Sequence, residues 1–469
     1  MRRRKIIWIV VIAAGLGIGV VLVCAVAANL VFQCFSVPTG AMAPTIYGEH
    51  VKYACTDCGC PFAVGRLDAS PGNGPACPNC GLTQAAGPPV FERGDRVLVG
   101  RFSARTPGRW DIFVFRNPNE PRQNYVKRVV GLPGETIELV GGNVTINGRV
   151  ACKPDAAQNE LWMLVHDTRW RPTRSGWAPR WEAEKPWRPE GAGFALDKAP
   201  ESGTAWLSYR HRGPSGKPEN ILDSYGYNTS LRFGARAGSE AVTDLCLRAP
   251  VRLAVADAAT VVEIRAYKDR FRFELTCEGS QQPTCIYIND KLAAKSPRGV
   301  LPVGRSAEVV AANVDHKLML LVDGRRVATE TALEAAPEGD VTYEPAPLTD
   351  DERDRFDNPT DGLPQSMAAE VRIGVRGGPA TIKYLRLDRD VYYVNEHLMT
   401  GGGDMKPGHG TEGNPFTLKE GEYFVLGDNS PRSFDSRLWD LPRPVVPQGY
   451  LIGKVSFIYR TGEGGRWIK

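Results

Sequence analysis

A lysine acts as a base only where it can shed its proton, and Lys127 lies in a run that could arrange this. Tyr125-Val126-Lys127-Arg128-Val129-Val130 is strand-like and ends at Gly131-Leu132-Pro133-Gly134. A free lysine has a pKa of about 10.4, and burial among apolar neighbours disfavours the ammonium and lowers that value. A neutral amine within hydrogen-bond reach then takes a proton from a hydroxyl. Taken alone, a lysine with β-branched neighbours is more often a solvated strand residue, so the sequence around it decides. A second chemistry is signalled by Cys55-Thr56-Asp57-Cys58 and Cys77-Pro78-Asn79-Cys80, with Pro71, Gly72, Asn73 and Gly74 as turn residues between them. Two such pairs at this separation match a four-cysteine zinc ribbon. A closed four-thiolate shell leaves no open position, so its role would be structural. Two disulfides are the other solution for these cysteines, and Cys60 is an extra thiol in either scheme.

Three stretches occur in order along the chain: Val37-Pro38-Thr39-Gly40-Ala41-Met42-Ala43-Pro44-Thr45-Ile46, the lysine run, and Gly427-Asp428-Asn429-Ser430-Pro431-Arg432-Ser433-Phe434-Asp435-Ser436-Arg437. Together, behind an apolar N-terminal span, they resemble the type I signal peptidases, serine/lysine membrane proteases that remove signal peptides. The resemblance implies that Lys127 is the general base and that Ser433 orients its amine. It also implies that Asp435 and Arg437 form a supporting ion pair with Arg128 nearby. Phe91 to Val99 and Arg109 to Phe115 resemble further family segments, with Trp110 standing where the family has glycine. Glu135 replaces an aspartate after the lysine run. The larger departure is Ala41, which occupies the position of the family's nucleophilic serine. Thr39 matches the residue whose hydroxyl serves the oxyanion hole. Three outcomes stay open: Thr39 attacks, Lys127 activates a water, or the protein binds exported chains without cutting them. In an extended segment residues 39 and 41 face one side about 6.5 Å apart, which places Thr39 far from the usual point of attack.

These residues need elements to position them. The chain has 469 residues and a net charge of +5, enough for about three domains and no argument for nucleic acid binding. Its six histidines are scattered without a zinc-protease pair. Residues 1–5 form a basic tail and residues 6–33 an apolar span long enough for a transmembrane helix. Arg2 to Lys5 place the N-terminus in the cytoplasm and the bulk of the chain outside the inner membrane. A cleaved signal peptide ending near Ala25-Val26-Ala27 is the alternative.

Residues 34–151 and 394–469 are then the two parts of an antiparallel, mainly β peptidase fold, with the ribbon-like insertion at 53–83. Residues 152–393 form a large inserted stretch. Its short strand-like runs, such as Phe271-Arg272-Phe273-Glu274-Leu275, and its Asp323-Gly324 turn predict an all-β sandwich, and Leu320 to Val327 and Ile373 to Gly378 resemble concanavalin-like jelly-roll domains. Its Trp162, Trp170, Trp177, Trp181 and Trp187, interleaved with arginines, read as a loop packed across a sheet. Stacking on a sugar is the rarer use of such a pattern. Cys277 and Cys285 are placed to close a short disulfide loop, and Pro337 to Pro364 reads as an exposed loop. The partners implied are the membrane and signal peptides of exported preproteins, with a glycan or protein for the sandwich. No catalytic cofactor is implied; the one candidate group is structural zinc.

Overall fold

The computed structural model describes residues 32–69, 74–85, 88–100, 106–200, 202–213, 216–228, 240–331, 341–357, 367–395 and 408–468. The expected membrane span lies outside them except for its end. There Phe32 and Gln33 do not extend a helix; they open the strand Phe32–Ser36, which pairs antiparallel with Arg96–Gly100. No helix among the described residues is long and apolar enough to cross a membrane. The described chain is mainly β, and its strand pairs within sheets are antiparallel.

An eight-stranded sheet carries the peptidase-like motifs. Its path runs Phe32–Ser36, Arg96–Gly100, Leu451–Arg460, Ile112–Arg116, Asn124–Gly131, Glu422–Leu426 and Val446–Pro447, with Gly464–Trp467 added beside Leu451–Arg460. Alternation along Ile112–Arg116 explains why it lies inside. Ile112 and Val114 enter one core with Val97, Val99 and Val455, while Phe113 and Phe115 enter another with Val129, Trp439 and Tyr423. A period of two sends successive side chains to opposite faces, so the apolar run from Ile112 to Phe115 is covered on both. A four-stranded sheet follows, built on Thr136–Val140 and Asn143–Ile146. Its tight turn at Asn147 (φ 51°) and Gly148 (φ 77°) is the expected Asn-Gly hairpin.

Strands between Met163 and Arg389 form two further sheets, of ten and eight strands. They share one core, in which Leu247, Val251 and Val309 of one sheet meet Val262, Phe273 and Ile373 of the other. Asp269–Thr276 shows how the sequence achieves this: Phe271, Phe273 and Leu275 are buried while Arg270, Arg272 and Glu274 alternate outward. Trp181 and Trp187 belong to this core, and Trp162 to a neighbouring one. The stretch leaves and rejoins the peptidase-like part at one place, where Lys153 pairs with Asp390 at 2.8 Å and Tyr393 N donates to Gly142 O at 3.1 Å.

Two expectations fail here. Cys277 and Cys285 are free thiols; Cys277 Sγ lies against the carbonyls of Val255 and Ala258 instead. The acidic loop after Pro337 contains the helix Asp350–Asp357. Thr349 and Glu352 form its reciprocal cap, with Glu352 N donating to Thr349 Oγ1 at 3.2 Å and Thr349 N to Glu352 Oε2 at 3.0 Å.

Asp95 ties the ends of the peptidase-like part together. Its fully buried carboxylate accepts from Tyr47 N at 2.8 Å and from Arg460 Nη2 at 2.8 Å, and the Arg460 guanidinium lies 3.9 Å above the Tyr47 ring. Asp95→Ala would strand a largely buried arginine, a loss of about 3 kcal/mol. The expected result is a fall of roughly 5–10 °C in melting temperature; an unchanged thermal melt would show that the pair adds nothing.

Candidate active site

Lys127 and Ser433 stand 306 residues apart in sequence, yet Lys127 Nζ donates to Ser433 Oγ at 2.6 Å. The strand Asn124–Gly131 supplies the lysine, and the turn after Glu422–Leu426 supplies the serine. Both side chains are buried, Lys127 at 3% exposure and Ser433 at 0%. Burial pulls the Lys127 pKa down to about 8; Arg437 adds to that, and Asp435 and Asp428 oppose it. Asp435 and Arg437 form the expected pair, Nε to Oδ1 at 2.9 Å and Nη2 to Oδ2 at 2.8 Å. Burial alone would raise the Asp435 pKa, but Arg437, with Lys127 behind it, holds it below the usual carboxylate value.

Arg128 makes a pair of its own. It grips Asp428 through two bonds of 2.8 and 2.7 Å, reaches Glu160 at 3.3 Å and donates to Trp110 O at 2.8 Å. Trp110 holds φ 74°, a left-handed conformation that suits glycine better than tryptophan. Its indole is buried and donates from Nε1 to Cys152 O at 3.2 Å. A tryptophan here holds a backbone conformation that glycine adopts more readily.

Ala41 lies in the short 3-10 turn Gly40–Met42, directly after Thr39, which is exposed and extended. Asn429 holds this turn twice: its N–H donates to Ala41 O at 3.1 Å and its side-chain amide to Gly40 O at 2.9 Å. Gly427 shows how closely the parts meet, since a Cβ there would lie 2.2 Å from Ser433 Oγ and 2.4 Å from Ala41 O. Thr39, Ala41 and Lys127 line one cleft of about 700 Å³, with Val97, Val114 and Val126 among its apolar walls. The arrangement offers a base of lowered pKa, an oriented amine and space for an extended chain, but no hydroxyl on residue 41.

The four ribbon cysteines are buried and unbonded. Their sulfurs lie within 4.8 Å of one another, with Cys55–Cys80 and Cys58–Cys77 at 3.6 Å. A disulfide requires about 2.05 Å, so the disulfide alternative does not describe this structure. A tetrahedron of sulfurs about 2.3 Å from a central zinc has edges of roughly 3.8 Å, which fits. The two knuckles are built alike: Gly59 N donates to Cys55 O and Gly81 N to Cys77 O, each at 2.9 Å, and both glycines hold φ 75°. Arg174 Nη1 and Gln84 Nε2 each reach a sulfur at 3.4 Å. Cys60 is buried in the same cluster, its Sγ against Pro61 O at 3.7 Å.

The family model described as signal peptidase, peptidase S26, matches residues 83–176 and 373–460. The chain is related to the type I signal peptidases. Signal peptidase I of Rickettsia akari is 32% identical over 120 residues, 26% of this chain and 36% of that protein. Signal peptidase I of Rickettsia bellii is 45% identical over 51 residues, 11% and 18% of the two. Signal peptidase I V of Bacillus subtilis is 40% identical over 68 residues, 14% and 39%. The chain thus spans well under half the length of these curated relatives. Lys127, Ser433, Asp435 and Arg437 fall inside the two blocks that match the signal peptidase model, whereas Thr39 and Ala41 lie before the first.

Sequence reasoning missed Tyr227 and Asn228, which also line the cleft, and the Arg128–Asp428 pair. The opposite charges of that pair both stood in quoted motifs, so it was within reach. Nothing local marks Tyr225-Gly226-Tyr227-Asn228 as facing a site. The lowered pKa of Lys127 has a measurable consequence. Between about pH 8 and about pH 10.4 the unfolded chain holds a proton that the folded chain has released, so stability rises with pH across that window, by roughly 3 kcal/mol in total. Lys127→Met should remove that rise in denaturant titrations at the two ends of the window. A wild type no steeper than the variant would mean that Lys127 titrates as an ordinary surface amine.

Proposed function

We propose that the protein holds the extended segment around a signal-peptide cleavage site in the cleft beside Lys127. There it acts as a signal peptidase I-like endopeptidase with an atypical nucleophile. The observation that carries this is the buried Lys127–Ser433 pair at 2.6 Å, opening on the same cleft as Ala41. A buried amine with a pKa of about 8 is partly neutral near physiological pH, as a general base requires. Without a serine, Lys127 takes its proton either from a water beside Ala41 or from the Thr39 hydroxyl. A free water is held less well than a tethered hydroxyl and forfeits part of the proximity advantage. Ala41 itself favours a second reading, a non-catalytic binder of exported chains. In both readings the apolar stretch of residues 6–31 anchors the protein in the inner membrane with the cleft on the outer side, where preproteins emerge. The substrate pairs as an added strand. The 152–393 stretch, as a separate sandwich unit, would meet a glycan or protein partner.

Cleavage of a model preprotein by detergent-solubilised wild type, Ala41→Ser and Lys127→Ala tests this. Wild-type cleavage that Lys127→Ala abolishes is expected, and Thr39→Val then separates threonine from water. Cleavage by Ala41→Ser alone would point to the binder. Processing unchanged in Lys127→Ala would remove the lysine from the mechanism.

Cys55, Cys58, Cys77 and Cys80 would hold a structural zinc, as their sulfur spacing supports. Elemental analysis should find about one zinc per chain, lost in Cys58→Ser together with a lower melting temperature. Purified protein with no zinc and four freely titrating ribbon thiols would contradict the site.

A further inference from the structure

One wall of the cleft comes from the large inserted stretch. Tyr227 and Asn228 reach back from it to the turn that carries Ala41. Asn228 and Asn429 exchange amide hydrogen bonds, at 2.6 Å from Asn228 Nδ2 and 2.9 Å from Asn429 Nδ2, and both side chains are buried. Since Asn429 also donates to Gly40 O, the inserted stretch is bonded to the catalytic turn through a single intermediate side chain. Gly65 N donates to Tyr227 O at 3.0 Å, so the hairpin of the cysteine ribbon fixes the same segment from the other side.

The Tyr227 ring lies between two glycines. A Cβ at Gly40 would fall 2.3 Å from its Cε1, and one at Gly65 2.4 Å from the same atom. The ring stacks between Tyr47 and Tyr225, with centroids 5.5 and 5.8 Å away. It also lines a second cavity of about 540 Å³ behind the cleft. Tyr227 therefore stands as a partition between two spaces, held in plane by stacking and by the absence of side chains at Gly40 and Gly65. The ring makes these contacts, so the residue serves through its shape.

We propose that Tyr227 sets the size of the substrate side chain accepted beside residue 41, closing off the second cavity so that only small residues fit. This rests on the cleft being a peptide site. The substrate class is an extended polypeptide with a small residue, such as alanine, next to the scissile position. Truncating the ring joins the cleft to existing empty space, so larger residues gain a place.

The test uses the full-length protein in detergent and short fluorescein-labelled peptides bearing Ala-x-Ala, or the same peptide with leucine or phenylalanine at one of the alanines. Anisotropy should show wild type preferring the alanine peptide. Tyr227→Ala should bind the larger peptides about 10-fold more tightly while alanine-peptide affinity stays within about 3-fold. Tyr227→Phe should keep the wild-type order, and Tyr227→Leu, which preserves more of the packing, should shift it in the direction of Tyr227→Ala. Wild-type binding with the same peptide order in all variants would overturn the role of Tyr227 and leave the peptide site standing. No binding of any peptide by wild type would overturn both.

Discussion

A buried amine without a carboxylate of its own is the interaction around which the peptidase-like part is arranged. The acids that act on it are each engaged by an arginine: Asp435 by Arg437 and Asp428 by Arg128. Lys127 is left with a hydroxyl. Burying an ammonium in such a place is unfavourable, and the group answers by releasing its proton more easily. The arginine pairs make this possible because they satisfy the carboxylates that would otherwise hold the lysine charged. Full pairing also keeps those charges from being stranded inside, which would be costly.

Seen from this centre, Ala41 is a smaller structural change than its place suggests. The turn around it is held by main-chain groups: Asn429 bonds to the carbonyls of Gly40 and Ala41, and Ala43 N closes on Gly40 O at 3.1 Å. A hydroxyl on residue 41 is not needed to shape the turn. Alanine at this position therefore leaves the Lys127–Ser433 contact and both ion pairs in place.

Much of the site was legible because its residues sit in short strings whose chemistry is local. Lys127 lies in a strand-like run, Ser433, Asp435 and Arg437 alternate on one segment, and each cysteine pair closes its own knuckle. Turns with a fixed backbone demand, such as Asn147-Gly148, were equally readable. The parts that escaped depend on pairings between distant segments. Glu160, on the helix Asp155–Leu161, reaches Arg128, and Tyr227 fills the space between Gly40 and Gly65. Neither contact leaves a periodic trace. Phe32 misled for a related reason: an apolar residue suits a membrane helix and an edge strand alike, and only the partner Arg96–Gly100 separates them. The helix after Thr349 carried a readable cap that was hidden in an acidic, proline-rich surround.

The meeting of the two ends of the inserted stretch bears on how the chain reaches its native state. Closing a loop of 306 residues between Lys127 and Ser433 would cost roughly 5 kcal/mol of chain entropy if the intervening segment were random coil. Once that segment has folded, Lys153 and Asp390 lie side by side, and the remaining gap is short. Folding of the intervening stretch thereby removes most of the entropic cost of assembling the site. A nascent chain has no Lys127–Ser433 pair while Ser433 is still being made. The pairing of Lys127 with Ser433 is in this way tied to the fold of the segment between them.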